Sequence, residues 1–166
     1  MLKIYQIDAF TNQVFKGNPA AVVPLQEWLP TEIMQQIAAE NNLAETAFFV
    51  QENDKYHIKW FTPTVEIELC GHATLASAFV IYNYLNYDKN EIHFTCMVGD
   101  LLVTKNEDWI TLNFPSIETQ IVKNIPSVLS QAIGTHPIAF YDSKSKYVAL
   151  LEDEAAVQTC QPDFSL

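Results

Sequence analysis

Positive charge is scarce in this chain. Nine lysine and arginine side chains stand against 20 aspartates and glutamates in 166 residues, giving a net charge of −11. Nucleic-acid phosphates need a basic face, so the charge argues against nucleic acid as a partner. It argues against an anionic membrane surface on the same ground. Cysteine is equally sparse. Cys70, Cys96 and Cys160 are widely spaced and odd in number, which implies neither a disulfide framework nor a metal-type Cys/His spacing. No run reaches the roughly 18 apolar residues that a membrane-spanning helix needs. The amino terminus, Met1 to Phe10, reads as a strand rather than the apolar core of a signal peptide. A Gly-rich dinucleotide loop, a phosphate-binding loop ending in Lys-Ser/Thr and a serine elbow are all missing. The expectation is a soluble cytoplasmic protein that performs proton chemistry on a small molecule without cofactor or metal.

What is present is apolar: 49% of the residues are hydrophobic and 12% aromatic, enough for a sizeable core. Residues 2–9 alternate as a strand, with Tyr5, Ile7 and Ala9 on one side. Gly17-Asn18-Pro19 is a turn signal, and Ala20-Ala21-Val22-Val23 a short buried strand. A helix opens at Thr31-Glu32 with an apolar face of Ile33, Met34, Ile37 and Ala38, ending near Asn41-Asn42, since asparagine tolerates the left-handed exit. Strands follow from 46 to 51 and from 55 to 62, joined by an Asn53-Asp54 turn. The run Leu75-Ala76-Ser77-Ala78-Phe79-Val80-Ile81-Tyr82 marks a buried helix from Gly71 to about Leu85. Three strands near 91–97, 100–105 and 109–114 form an antiparallel meander, with turns at Gly99-Asp100 and Asn106-Glu107-Asp108. The fold class is therefore α+β, a mostly antiparallel sheet curling round one apolar helix. Residues 1–115 form the first domain. Residues 116–166 form part of a second, in which a connector to Pro126 precedes a helix over 127–133 closed by Gly134, strands at 138–141 and 146–151, and a helix starting at Asp153.

Leu69-Cys70-Gly71-His72-Ala73-Thr74 is the place to look for chemistry. A buried helix that begins at Gly71 presents several unpaired backbone N–H groups at the positive end of its dipole, a ready carboxylate site. His72 follows the opening glycine and can donate a hydrogen bond or accept a proton, although a structural capping histidine is the plainer reading. Glu45 lies between a helix end and an apolar strand, where partial desolvation suits a carboxylate to proton transfer; a solvated loop glutamate is the alternative. Cys70 precedes the glycine, where the helix terminus could activate it as a nucleophile or proton carrier, although a small core residue is the plainer reading; Asp8 and Asn18 read as turn and hydrogen-bonding residues. His57, His93 and His136 lie in strand or loop contexts with no partner nearby and read as structural. Phe48-Phe49 and Trp60-Phe61 are core pairs, one ring of each being free to line a pocket.

Several segments occur in a telling order: Asp8-Ala9-Phe10-Thr11, Phe15 to Val23, Leu43-Ala44-Glu45-Thr46-Ala47-Phe48, Trp60-Phe61-Thr62-Pro63 and Glu68 to Ala76. Together they resemble the PhzF-like phenazine-biosynthesis isomerase family, which shares the diaminopimelate epimerase fold. The resemblance implies two pseudo-symmetric domains, each a curled sheet round a central helix, with the active site between them and a tendency to homodimers. It gives Glu45 the role of general acid/base and His72 that of the histidine beside the substrate. It also gives the N–H groups of Gly71, His72 and Ala73 the substrate carboxylate to hold. The implied activity is cofactor-independent isomerisation or epimerisation of a small carboxylic acid, with no metal. The family's second half carries an Asp-Pro-x-Thr-Gly-Ser-Ala type segment, and nothing like it occurs before Leu166. The second domain is thus expected to be incomplete, as in a truncated member. The rival reading is an inactive carboxylate-binding or assembly protein.

Overall fold

The computed structural model describes residues 1–143, 146–163 and 165. The chain divides into two units, Met1–Phe114 and Pro115–Leu166.

In the first unit β1 (Tyr5–Ala9) pairs antiparallel with β2 (Asn18–Leu25), and β2 pairs parallel with β3 (Glu45–Glu52) after helix α1 (Thr31–Asn41). β3 and β4 (Lys55–Phe61) make a hairpin over Asn53-Asp54, with Asn53 at φ 58°. The two-residue β5 (Glu66–Ile67) folds back on the end of β4, and helix α2 (Gly71–Tyr84) follows. The antiparallel meander of β6 (Glu91–Cys96), β7 (Gly99–Asn106) and β8 (Trp109–Asn113) joins β4 through a parallel β4–β6 pair. Strands β1 and β8 end the sheet, yet α2 packs on both of them and on β2 and β3. The sheet therefore curls round α2. This is the α+β architecture the sequence implies.

Alternation along the strands builds two cores. Phe49, Trp60, Ile58 and Phe94 face α2, whereas Phe48, Val50 and Phe61 face α1. Adjacent residues of one strand point to opposite faces, so Phe48-Phe49 and Trp60-Phe61 are each split between the two cores. All four rings are buried. Helix α2 is buried on nearly every side, and its hydroxyls are absorbed by its own backbone: Thr74 Oγ1 donates to Cys70 O, and Ser77 Oγ donates to Ala73 O at 2.7 Å.

Several expectations need correction. β2 is longer than Ala20–Val23 and starts at Asn18, so Asn18-Pro19 are strand residues paired with Ala9 and Asp8; Pro19 is tolerated near a strand start. Gly17 answers to space, since a Cβ there would lie 2.3 Å from Ala9 O. On α1 the buried positions are Met34 and Ala38, while Ile33 is 42% exposed and lies outside the apolar face. Asn42 ends that helix at φ 50° and ψ 34°, as its residue type implies. The β6–β7 turn is Met97-Val98 rather than Gly99-Asp100, with Gly99 already paired to Cys96. The histidines read as structural do have partners: His57 Nδ1 is 3.6 Å from Glu52, His93 Nε2 4.0 Å from Glu91 and His136 Nδ1 3.3 Å from Ser130.

The second unit holds a three-stranded antiparallel sheet in the order β11 (Tyr147–Leu150), β10 (Ala139–Asp142), β9 (Gln120–Ile121). β9 lies inside the stretch read as a connector. Helix α3 (Ser127–Ile133) ends on Gly134 at φ 76°, and α4 (Glu154–Thr159) is capped by Asp153, whose carboxylate accepts from Ala156 N–H at 2.8 Å.

A tyrosine cluster braces the far end of α2. Tyr82 Oη donates to Asn90 O at 2.9 Å, and its ring meets Tyr87, which in turn meets Tyr56. Burial first, then the charges of Tyr87 and Glu91, push the Tyr82 hydroxyl up to about 12; burial also raises Tyr56 and Tyr87. A raised folded-state value favours the neutral phenol in the native state. This contribution is full below pH 10 and is lost as pH rises through about 12. Phenolate absorbance and melting temperature, followed together from pH 9 to 12, should show Tyr82 ionising as the fold fails. Seven tyrosines titrating together near pH 10 with a constant melting temperature would contradict this.

Candidate active site

The segments singled out in the sequence converge through strand register. β1 ends where β2 and β3 begin, with Ala9 opposite Asn18 and Ala20 opposite Glu45; β4 ends there too, with Thr46 opposite Phe61. Glu45 is thus fixed as the first residue of β3, directly after the α1 exit. Thr62 then reverses the chain. Its N–H and Oγ1 donate to Val65 O at 2.9 and 3.0 Å, and its Oγ1 accepts from Val65 N–H at 3.0 Å. Gln35 Nε2 pins the turn to α1 by donating to Thr62 O at 2.8 Å. β5 returns along the end of β4 and delivers Cys70 as the N-cap of α2.

Helix α2 opens with Gly71, His72 and Ala73, whose N–H groups precede the first intrahelical bond, Thr74 N–H to Cys70 O at 3.3 Å. No side chain caps this end. Gly71 is close to Phe114, whose ring edge would lie 3.2 Å from a Cβ at that position. His72 and Ala73 are buried.

The side chains of Glu45 and His72 meet here. Glu45 Oε2 lies 3.1 Å from His72 Nε2, and their side chains are 18% and 9% exposed. The two atoms are close but not aligned as donor and acceptor, and both are buried without a hydrogen-bond partner. Buried polar atoms are satisfied in the great majority of cases, so two orphans in contact mark hydrogen-bonding capacity held in reserve. Cys70, read as a core residue, brings its Sγ to 3.5 Å from His72 Nδ1. The imidazole therefore sits between a carboxylate and a thiol, one ring nitrogen toward each. The signal was the i, i+2 spacing across a helix start, where N-cap and second-residue side chains can turn toward each other.

Glu45, Cys70 and His72 are also the residues that could hold a metal ion, their donor atoms lying within 4.8 Å of one another. The two ring nitrogens face different neighbours, so a shared ion would require a side chain to turn. Asp8, within β1, ties down the loop that follows, its Oδ2 accepting from Phe15 N–H at 3.0 Å, and Asn18 is exposed. Among the described residues, no helix is long and apolar enough to cross a membrane.

A family model described as "Phenazine biosynthesis-like protein" matches residues 7–166. An uncharacterized isomerase of Pseudomonas aeruginosa is 43% identical over 99% of this chain and 62% of its own length. The crystal structure of a phenazine biosynthesis protein of the PhzF family from Enterococcus faecalis superposes with a TM-score of 0.91 at 47% identity, covering 99% of this chain and 62% of that one. A putative phenazine biosynthesis PhzC/PhzF protein from Clostridium difficile gives a TM-score of 0.86 at 40% identity, covering 99% and 63%. The chain thus spans about three fifths of the length of the relatives it matches.

Proposed function

Because the chain belongs to the phenazine biosynthesis-like family, we propose that it carries the proton-transfer wall of a cofactor-independent isomerase or epimerase of small carboxylic acids. The observation that carries this reading is the buried, unpartnered pair of Glu45 Oε2 and His72 Nε2 at the start of α2. The N–H groups of Gly71, His72 and Ala73 hold the substrate carboxylate, aided by the helix dipole. Glu45 takes a proton from a substrate carbon: the C–H bond breaks, an O–H bond forms, and the electron pair is delocalised over the substrate. His72 donates from Nε2 to the charge that develops. Glu45 then returns the proton to another carbon, whereas inversion at the same carbon needs a second proton donor on the opposite face; neither route brings in a redox partner. In this reading the first unit is a complete epimerase-like domain and the second unit the opening of its counterpart. Like the relatives named as isomerases, the whole protein is the isomerase.

A panel of cyclic and amino carboxylic acids, screened by thermal shift, tests the cup. A ligand at about 100 times its Kd should stabilise by about 2.7 kcal/mol. The same acids in D2O test the chemistry, and affinity without deuterium uptake would leave a carboxylate-binding protein instead. A second copy of the chain is the proposed pairing partner. A solution mass near twice 18.9 kDa supports that pairing, and a stable monomer removes it.

A further inference from the structure

The mechanism above uses one nitrogen of His72 and leaves Cys70 out. Yet the Cys70 thiol faces the other nitrogen at 3.5 Å within a buried turn. The contact is built into the backbone. Cys70 is the N-cap, His72 the second residue of the helix, and both the Thr74 hydroxyl and the Thr74 N–H donate to Cys70 O. Both partners are buried, Cys70 at 7% and His72 at 8% exposure.

We infer that Cys70 is a positioning residue whose thiol holds His72 as the Nε2–H tautomer. A neutral imidazole has one donor nitrogen and one acceptor. Glu45 Oε2 lies 3.1 Å from Nε2, too close for two facing lone pairs even off the hydrogen-bond line, so the proton belongs on Nε2 and the lone pair on Nδ1. The group facing Nδ1 must then donate, and a thiol S–H does so. In the opposite tautomer Nε2 would set a lone pair against a carboxylate oxygen at 3.1 Å, and Nδ1–H would meet a thiol that accepts only weakly. The neighbour of the unused ring nitrogen thus decides which nitrogen works, as in other histidine sites. The catalytic consequence rests on the proton-transfer reading, because only the Nε2–H form has a donor facing Glu45 and an incoming substrate. The tautomer itself does not depend on that reading.

The test therefore uses no substrate. Ring-nitrogen NMR of the full 15N-labelled chain resolves the imidazole tautomers. With four histidines, His72 is assigned by the signals lost in His72→Asn. The wild type is expected to show an acceptor-type Nδ1 and a protonated Nε2. Cys70→Ala should move both nitrogens toward the tautomer-averaged position, and Cys70→Ser, which keeps a donor, should restore most of the separation. A protonated Nδ1 in the wild type would overturn the inference without any variant having to fold. An unchanged His72 spectrum in folded Cys70→Ala would overturn it as well. Neither result touches Glu45, whose role is decided by deuterium exchange.

Discussion

Glu45→Gln is expected to lower turnover by about 10²–10⁴-fold, the range a positioned general acid/base contributes, while leaving the melting temperature unchanged or raised. The two halves of this result come from the same geometry. Glutamine keeps the shape of the side chain at the head of β3 but cannot carry a proton between two carbons. On the stability side, the native carboxylate places a buried oxygen without a hydrogen-bond partner against the imidazole, a cost that the neutral amide reduces. Sites tuned for activity commonly gain stability when disarmed. Initial rates on any acid that the wild type turns over, together with a thermal melt, check both halves. Retained turnover, or loss of turnover only through unfolding, would contradict the role given to Glu45.

Trp60→Ala carries the largest expected cost to the fold, about 3–5 kcal/mol. Its ring is 1% exposed in the core facing α2. In register it lies opposite Ala47 on β3 and Ile67 on β5, so it ties the strand that begins with Glu45 to the segment that leads into Cys70. The damage should therefore reach the site as well as the core. Its indole Nε1 is buried without a partner, which costs about 1–3 kcal/mol. Trp60→Phe forfeits ring area but removes that orphan donor, so it should cost much less than the alanine. Ile33→Ala, on the exposed side of α1, should stay within about 0.5 kcal/mol. Urea unfolding reads all three, as a lower midpoint at constant slope. Equal losses for Trp60→Phe and Trp60→Ala would show that the hydrogen-bonding deficit of the indole is unimportant.

The local devices of the fold were legible from sequence because short-range chemistry dictates them. The apolar run from Leu75 to Tyr82 marks α2, Asn42 the left-handed exit of α1 and Asn53-Asp54 a hairpin turn. Strand pairing is long-range and is not written in any local pattern. The parallel β2–β3 and β4–β6 pairs depend on which strand each helix returns to, which no local pattern encodes. Gly99-Asp100 has the composition of a turn, yet Gly99 takes its φ of 116° as the first residue of β7. In the site, the helix start and both ionisable residues stood out by position and by resemblance. Cys70 stands out there too, as a thiol at the helix start with a core residue as the plainer reading, and its distance to His72 Nδ1 is what makes it part of the array.

The central claim is that the carboxylate–imidazole pair at the head of α2 moves a carbon-bound proton. It is tested most directly by ¹H NMR of a substrate acid in D2O with wild type, Glu45→Gln and His72→Asn side by side. The account predicts a substrate C–H signal that disappears with the wild type, persists with Glu45→Gln, and fades much more slowly with His72→Asn. Deuterium entering at the wild-type rate in the Glu45→Gln sample would contradict it.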